Sequence, residues 1–245
     1  MLPPTFEARL VKTRPLAPSV RELTFERVDG RPMAFEPGQW VNALLPVELD
    51  AAPGLNRSYS LASAPDGSPR FELAVTRVQA GPGSTWLHAL EPGATLPFVG
   101  PQGFFTRPLA SASPSLMIAT GTGMTPMRSM MRAAVAAASQ VPMWLVLGVR
   151  HEGDVIYGEE LRELARAHPF VRFVPTLSQP GASWTGRKGY VQTHVQELWA
   201  ELAAQGGAAP HAYVCGLERM VGSVRQLLRK DMGLPRQQVH TERYD

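Results

Sequence analysis

The sequence predicts two domains of different class, an antiparallel β-barrel or sandwich followed by an α/β domain with a parallel sheet. Two observations indicate this. Short strand-like runs separated by turn residues fill positions 1–105, and β and α segments alternate after position 115. The segment RPLASASPS (107–115), rich in Ser, Ala and Pro, marks the boundary. A chain of 245 residues is long enough for two such domains.

The first domain is predicted from apolar runs that alternate as strands do, with Gly, Pro and Asp in the loops between them. Only one helix is expected there, STWLHAL (84–90). The strand-like runs are EARLVKTRPL (7–16), VRELTFERV (20–28), QWVNALLPV (39–47) and RFELAVTRV (70–78).

The second domain is predicted from alternating strands and helices joined by short loops, which indicate a parallel sheet covered by helices. The strands are SLMIAT (115–120), MWLVLGV (143–149), VRFVPTL (171–177) and HAYVCG (211–216). The helices are PMRSMMRAAVAAAS (126–139), GEELRELARAH (158–168), VQTHVQELWAEL (191–202) and ERMVGSVRQLLRKDM (218–232).

Composition narrows the classes of site. The single cysteine, Cys215, leaves no disulfide within the chain and no four-cysteine iron–sulfur cluster. The six histidines are scattered, so we expect no metal site built by the protein. The N-terminus lacks a signal-peptide pattern and no apolar run reaches the roughly 18 residues of a membrane span, so a cytoplasmic protein without membrane contact is expected.

Charge points to the class of partner. The net charge is +3 and the sequence pI is about 9.3, without a block of Lys and Arg. This balance suits an acidic protein or a phosphate-bearing small molecule better than nucleic acid. A basic surface without a partner fits the charge equally well.

The segment IATGTGMTP (118–126) places a glycine-rich turn between a predicted strand and a proline that can open a helix. Gly121 and Gly123 let the backbone approach a ligand, and free N–H groups at a helix start favour a pyrophosphate. We therefore predict dinucleotide binding, although a turn that uses glycine only for its geometry has the same pattern.

Basic residues follow the next two predicted strands. Arg150 ends the strand after the glycine turn, where a site for NAD would usually carry an acid, and a cation there suits a 2′-phosphate. The loop LSQPGASWTGRKG (177–189) contains Arg187 and Lys188, which are candidate anion ligands. A solvated basic loop is the alternative for each of these residues.

The segment RSYSLASAP (57–65) resembles the RxYS flavin motif of the ferredoxin–NADP reductase superfamily, and the bacterial FAD-dependent ferredoxin/flavodoxin–NADP reductases in particular. The resemblance implies a six-stranded antiparallel barrel for FAD at residues 1–108 and a five-stranded parallel sheet for NADP at residues 114–245. Further motifs of the family follow in order: FEPGQWV (35–41), GPGSTWLHALEPG (81–93), GPQGFF (100–105), GTGMTP (121–126), YVCG (213–216) and HTERYD (240–245).

The resemblance implies which residues hold the flavin. Arg57 offers a fork of donors to a diphosphate, and amides at a helix start can hold it from the other side, which favours FAD over FMN. The family places the matching serine, Ser60, near flavin N5, and Tyr59 offers a flat face to the ring or ribityl chain. The predicted FAD ligands are Arg57, Ser58, Tyr59, Ser60, Val75, Gly83, Ser84 and Thr85.

The predicted nucleotide ligands are Gly121, Thr122, Gly123, Pro126, Arg150, Ser178, Gln179, Arg187 and Gly216. Arg150 and Arg187 match basic positions of the bacterial reductases, whereas Gln179 stands where those enzymes commonly carry another arginine. Two cations predict a moderate preference for NADPH over NADH.

The resemblance implies four catalytic residues, Ser60, Cys215, Glu242 and Tyr244. Cys215 matches a cysteine that packs against the nicotinamide, and Glu242 matches a glutamate that orders the serine side and relays protons. Tyr244 matches an aromatic that covers the flavin, but Asp245 follows it, so the terminal placement of plant-type reductases is not kept. A frayed, charged C-terminus is the plain alternative for these last residues.

The resemblance implies that the protein is an NADPH-dependent reductase, and we expect it to be a monomer. A hydride would pass from nicotinamide C4 to flavin N5, and electrons would leave singly to an external ferredoxin or flavodoxin. An NADH-using reductase component of an oxygenase has the same fold. An electron-transfer or regulatory subunit of a larger complex, which usually adds a cysteine-ligated cluster, and a non-enzymatic binding protein are further alternatives.

Overall fold

The computed structural model describes residues 4–47 and 54–244. The first domain contains a six-stranded antiparallel sheet, in the order β4-β3-β6-β1-β2-β5, and one helix. Its elements are β1 (Thr5–Ala17), β2 (Val20–Arg27), β3 (Trp40–Leu45), β4 (Leu55–Ser60), β5 (Arg70–Thr76), α1 (Pro82–Ala89) and β6 (Thr95–Gln102).

The two edge strands of this sheet meet just after β4. The amide of Ala62 donates to the carbonyl of Glu72 in β5 at 2.8 Å, so the sheet curls round and closes at this point. Phe6, Phe25, Phe71 and Phe98 fill the interior with ring centroids 5.0–6.0 Å apart. These aromatic side chains are buried together with many leucines, and their burial contributes to the apolar stabilisation of this domain.

The second domain contains a parallel sheet in the order β10-β9-β8-β7-β11-β12, with helices between the strands. Its strands are β7 (Ser115–Thr120), β8 (Met143–Val149), β9 (Val171–Leu177), β10 (Arg187–Lys188), β11 (His211–Leu217) and β12 (Val239–Tyr244). Its helices are α2 (Thr125–Ala136), α3 (Gly158–Ala167), α4 (Gln192–Ala203) and α5 (Glu218–Gln226), which a π-helical turn (Leu227–Asp231) extends.

The prediction of five parallel strands is wrong, because the sheet has six. The runs named from the sequence became β7, β8, β9 and β11. The two further strands are the edges: β10 has only two residues, and β12 has the polar sequence VHTERY. Neither contains the continuous apolar run by which a buried strand is identified.

The order of the parallel strands reverses between β7 and β11. The chain runs outward from β7 through β8 and β9 to β10, then returns to place β11 on the other side of β7. In open α/β sheets, ligands bind at such a reversal, outside the carboxyl ends of the strands. The GTGM turn after β7 and Gly216 near the end of β11 lie at this place. Across the described ranges, no helix is long and apolar enough to cross a membrane.

Candidate functional site

Three of the predicted catalytic side chains meet where the two domains touch. Ser60 is the last residue of β4 and is only 6% exposed. Its hydroxyl donates to Oε1 of Glu242 at 3.2 Å and accepts a hydrogen bond from the hydroxyl of Tyr244. Glu242 and Tyr244 lie on β12, so the C-terminal strand supplies both partners of a serine in the other domain.

Alternation along β12 explains why these two side chains reach Ser60. Residues two apart on a strand share a face, so Glu242 and Tyr244 point to one side and Thr241 and Arg243 to the other. On that other side, Arg243 forms an ion pair with Glu218 of α5. Side chains of β12 therefore make contacts on both faces of the strand, although the pair with Glu218 is exposed and contributes little to stability.

Two threonines that the sequence analysis missed extend the cluster. Oγ1 of Thr125 lies 3.4 Å from the Tyr244 hydroxyl and donates to the carbonyl of Thr122 at 2.9 Å. Thr76 of β5 lies 3.3 Å from Thr122, hydroxyl to hydroxyl, and forms a second bridge between the domains. Thr125 stands within the GTGMTP motif, but no spacing rule indicates that it meets the C-terminal strand.

The titratable groups of this cluster are shifted toward their neutral forms. Burial raises the pKa of Glu242 to about 7, although the hydrogen bond from Ser60 opposes the rise. Burial, and then the neighbouring Glu242, raises the pKa of the Cys215 thiol well above its usual range. Cys215 is fully buried opposite Glu242 in the β11–β12 register. A neutral, buried thiol fits a packing role and not that of a nucleophile.

The glycine turn packs closely on the end of β11. A Cβ atom on Gly123 would lie 2.3 Å from the carbonyl oxygen of Cys215, so only glycine permits this approach. Gly216, with φ of +141°, packs as closely on Thr120. Gly121 differs, because its φ is +52° and a Cβ there would meet no protein atom within 4 Å. Gly121 is therefore the glycine of this turn that borders open space, and Pro126 is buried at the start of α2.

Within the first domain, Arg57 lies beside the start of α1. The guanidinium of Arg57 is exposed and donates to the carbonyl of Asn56, and no carboxylate pairs with it among the described residues. A Cβ on Gly83 would lie 3.4 Å from Cγ of Arg57, so the arginine stem and the helix start are neighbours. The N-terminus of α1 has no side-chain cap, which leaves the amides of Gly83 and Ser84 for an anion.

Some predicted flavin ligands have other partners in the structure. The amide of Thr85 donates to the carbonyl of Gly81, and the hydroxyl of Ser84 is also bonded within this turn. Val75 is fully buried in the barrel core, so its side chain packs there and does not border the cluster at the interface. Ser58 donates to Asn42 at 2.7 Å.

Tyr59 is part-buried against the barrel core. Burial raises the pKa of its hydroxyl to about 12, against the effect of Arg57. The phenol therefore stays neutral at physiological pH. Tyr59 and Arg57 lie two apart on β4, which places them on the same face of the strand. A face that combines a neutral aromatic ring, an arginine fork and an uncapped helix start fits a planar group attached to a diphosphate.

The loops after β8 and β9 are joined by backbone hydrogen bonds. The amide of Gln179 donates to the carbonyl of Arg150 at 2.9 Å, and the amide of Ser178 donates to Val149 at 3.0 Å. Arg150 itself is exposed. The structure therefore brings Arg150, Ser178 and Gln179 together at the carboxyl end of the sheet, as a 2′-phosphate site would require.

Arg187 is held differently from Arg150. Its Nη1 and Nη2 atoms donate to the two carboxylate oxygens of Glu197 at 2.7 and 2.8 Å, which is a bidentate pair with α4. Nη1 also lies 3.2 Å from Nδ1 of His194. This cation already has a counter-charge, so a phosphate would have to share it with Glu197.

Comparisons with known proteins agree with this geometry. Residues 7–106 match the family model of the oxidoreductase FAD-binding domain, and residues 117–226 match that of the oxidoreductase NAD-binding domain. Ferredoxin–NADP reductase B of Sorangium cellulosum is 58% identical over 243 residues, which cover 98% of each chain. The chain belongs to the ferredoxin–NADP reductase family.

Some more distant relatives are longer than this chain. The phenol hydroxylase P5 protein of Acinetobacter pittii is 26% identical across 98% of this chain, which spans only 65% of that relative. The crystal structure of the Amycolatopsis cytochrome P450 reductase GcoB superposes with a TM-score of 0.81 at 27% identity, covering 98% of this chain and 70% of that one. The FAD-binding and NAD-binding domains are thus the part of these proteins that this chain shares.

Proposed function

We propose that this chain is an NADPH-dependent reductase that binds FAD in its first domain and passes electrons to an acidic carrier of the ferredoxin or flavodoxin class. The observation that carries the proposal is the cluster of Ser60, Glu242 and Tyr244 across the domain interface. The name of the Sorangium relative and the basic net charge of +3 support the carrier class.

The residues present fit the two cofactors. Arg57 and the amides of Gly83 and Ser84 would bind the diphosphate of FAD, and Tyr59 would pack on its flat or ribityl part. The GTGM turn and Arg150 would bind NADPH, whose 2′-phosphate requires a cation. When bound, FAD would supply the conversion between two-electron and one-electron transfer.

The protein's own contribution is to orient a hydroxyl and to hold a proton. Ser60 is fixed between a donor, Tyr244, and an acceptor, Glu242, so its hydroxyl keeps one direction without reorganisation. Because the pKa of Glu242 is raised to about 7, this carboxyl can hold or release a proton near neutral pH. Cys215, fully buried opposite Glu242, would contribute packing without charge.

Flavin content tests the first part of the proposal. The purified protein should carry one FAD per chain, and Arg57→Ala should weaken FAD binding by about 1.5–3 kcal/mol, the value of a charge-assisted hydrogen bond. Arg31→Ala, which removes an exposed arginine from the same domain, is the matched control. Equal affinity for FMN and FAD would contradict the diphosphate site.

Steady-state assays test the rest. NADPH should give a higher kcat/KM than NADH. The rate of electron transfer to ferredoxin should fall steeply as salt rises, because surface charges act mainly on the rate at which the two proteins associate.

An NADH-dependent reductase component of an oxygenase is the second candidate, and the pairing of Arg187 with Glu197 favours it. Faster turnover with NADH would select that candidate.

A further inference from the structure

A buried arginine on α2 lies at the boundary between the domains. The side chain of Arg128 is 1% exposed and forms a bidentate pair with Glu160 of α3, from Nε to Oε1 at 2.8 Å and from Nη2 to Oε2 at 2.9 Å. Its guanidinium carbon lies 4.1 Å from the ring centroid of Tyr157. These contacts fix the guanidinium within the second domain.

The third nitrogen of this guanidinium, Nη1, bonds to residues of the first domain. Nη1 of Arg128 donates to the carbonyl of Ala62 at 2.8 Å and to Oε2 of Glu72 at 2.6 Å. Ala62 stands two residues after Ser60, and its amide bonds the carbonyl of Glu72 where the barrel closes. Arg128 is therefore attached to the segment of residues 60–62, which we call the Ser60 segment.

The same helix carries the opposite side of the site. Thr125 lies three residues before Arg128 on α2, about one turn away, and its hydroxyl lies beside that of Tyr244. A movement that separated Arg128 from Ala62 and Glu72 would also separate Thr125 from the Ser60 segment. It would leave a buried cation with one carboxylate in place of two, which is unfavourable. The contacts therefore favour one arrangement of the two domains.

We infer that Arg128 is a positioning residue that sets the orientation of the second domain against the Ser60 segment, with Glu72 as its partner across the interface. The inference rests on the proposed function for its kinetic consequence alone. Misplacement of reacting groups by about 1 Å can cost on the order of a hundredfold in rate. Loss of the contact should thus slow flavin reduction without loss of FAD.

A matched pair of substitutions separates positioning from general stability. Glu72→Ala removes the carboxylate across the interface, and Glu160→Ala removes the carboxylate within the second domain, from the same guanidinium. We expect Glu72→Ala to slow flavin reduction at saturating NADPH at least tenfold, and Glu160→Ala less than threefold, with FAD content unchanged in both. Equal slowing by both variants, in proportion to their fall in Tm, would overturn the inference. Glu72→Gln, which keeps a hydrogen bond but not the charge, replaces Glu72→Ala should that variant fail to fold.

A distance measurement gives a readout that does not depend on turnover. Spin labels on Val28→Cys and Ser223→Cys report the separation of the domains, since both positions are exposed and the native Cys215 is fully buried. Glu72→Ala should broaden the distance distribution and Glu160→Ala should leave it narrow. An unchanged distribution in Glu72→Ala would refute positioning by Arg128. A wild type that NADPH and NADH fail to reduce would instead refute the proposed function, with the distance result still valid.

Discussion

The cluster around Ser60 and the loops that carry Arg150 and Arg187 differ in how their side chains are held. Ser60, Glu242, Tyr244 and Thr125 are joined by hydrogen bonds across the domain interface. At the other region, Arg150 is exposed, and the fork of Arg187 is engaged by Glu197. The side chains of the first region are held by protein hydrogen bonds. In the second region a ligand would have to share the fork of Arg187 with Glu197.

Under the proposed function, this difference predicts which property each region controls. We expect a fixed hydroxyl beside a carboxyl of raised pKa to affect the rate of hydride transfer, because it costs no reorganisation when charge develops. We expect the exposed Arg150 and the paired Arg187 to affect the choice between NADPH and NADH, and each cation to add only the contact it can form. Substitutions in the first region should alter kcat for both nucleotides, and substitutions in the second should alter kcat/KM for NADPH alone.

The largest effect is expected from Ser60→Ala. Removal of the hydroxyl leaves Glu242 and Tyr244 without their common partner, and flavin reduction should slow about a hundredfold with either nucleotide. Stopped-flow reduction of the FAD-loaded protein measures this rate. Ser19→Ala, which removes an exposed hydroxyl from the same domain, should leave the rate unchanged. Reduction of the Ser60 variant at the wild-type rate would reassign that serine to structure.

Arg150→Ala should have the next largest effect. Loss of a charge-assisted contact costs about 2 kcal/mol, so kcat/KM for NADPH should fall roughly thirtyfold. The kcat/KM for NADH should stay almost unchanged. Arg187→Ala should cost less, because Glu197 already neutralises that cation. Arg166→Ala on α3, an exposed arginine, serves as the control. Equal losses with both nucleotides would place Arg150 outside a 2′-phosphate site.

The sequence predicts the two domains well because strands and helices leave a local periodicity. β8 and β9 match their predicted runs residue for residue, and α2 differs only at its ends. β12 was missed because an edge strand with polar residues on alternate positions has no apolar run. Its residues were found only through the family motif in the tail. That resemblance implied that Glu242 orders the Ser60 side, but it did not show that Tyr244 donates to Ser60.

Contacts between distant residues are the part that local sequence patterns do not show. Ser60 and Glu242 are 182 positions apart, and Arg128 and Glu72 are 56 apart. Hydrophobic periodicity shows which face of an element is buried and not what covers it. The resemblance implied Val75 and Thr85 as flavin ligands, and only the structure shows that the Val75 side chain lies in the barrel core and that the Thr85 amide bonds Gly81 at the start of α1. Local patterns likewise did not show the pairing of Arg187 with Glu197.

Glu242→Gln should produce a smaller effect that depends on pH. Burial raises the pKa of Glu242 from 4.5 to about 7, so the folded chain favours the protonated carboxyl. The stability that the neutral carboxyl provides is fully present below about pH 4.5 and is lost as pH rises through about 7. For this part-buried group, we expect the free energy of unfolding to change by about 1–2 kcal/mol. Wild type should therefore lose stability relative to the glutamine variant over this range. Thermal unfolding of both proteins with FAD removed, from pH 4.5 to 8, measures the difference, and parallel curves would exclude a raised pKa.

The smallest effect is expected from Glu197→Gln, because Arg187 is paired with Glu197 whereas Arg150 is exposed. Glu197→Gln removes the charge that holds the fork of Arg187, so this cation becomes available to a 2′-phosphate. The preference for NADPH over NADH should rise about threefold, or about 0.7 kcal/mol. Glu201 lies on the same helix as Glu197 but pairs with Arg172 of β9, so Glu201→Gln should leave the preference unchanged. The measurement is kcat/KM for both nucleotides in each variant. If neither Glu197→Gln nor Arg187→Ala alters the preference, Arg187 is a surface ion pair, and the choice of nucleotide depends on Arg150 and its neighbours in the loop.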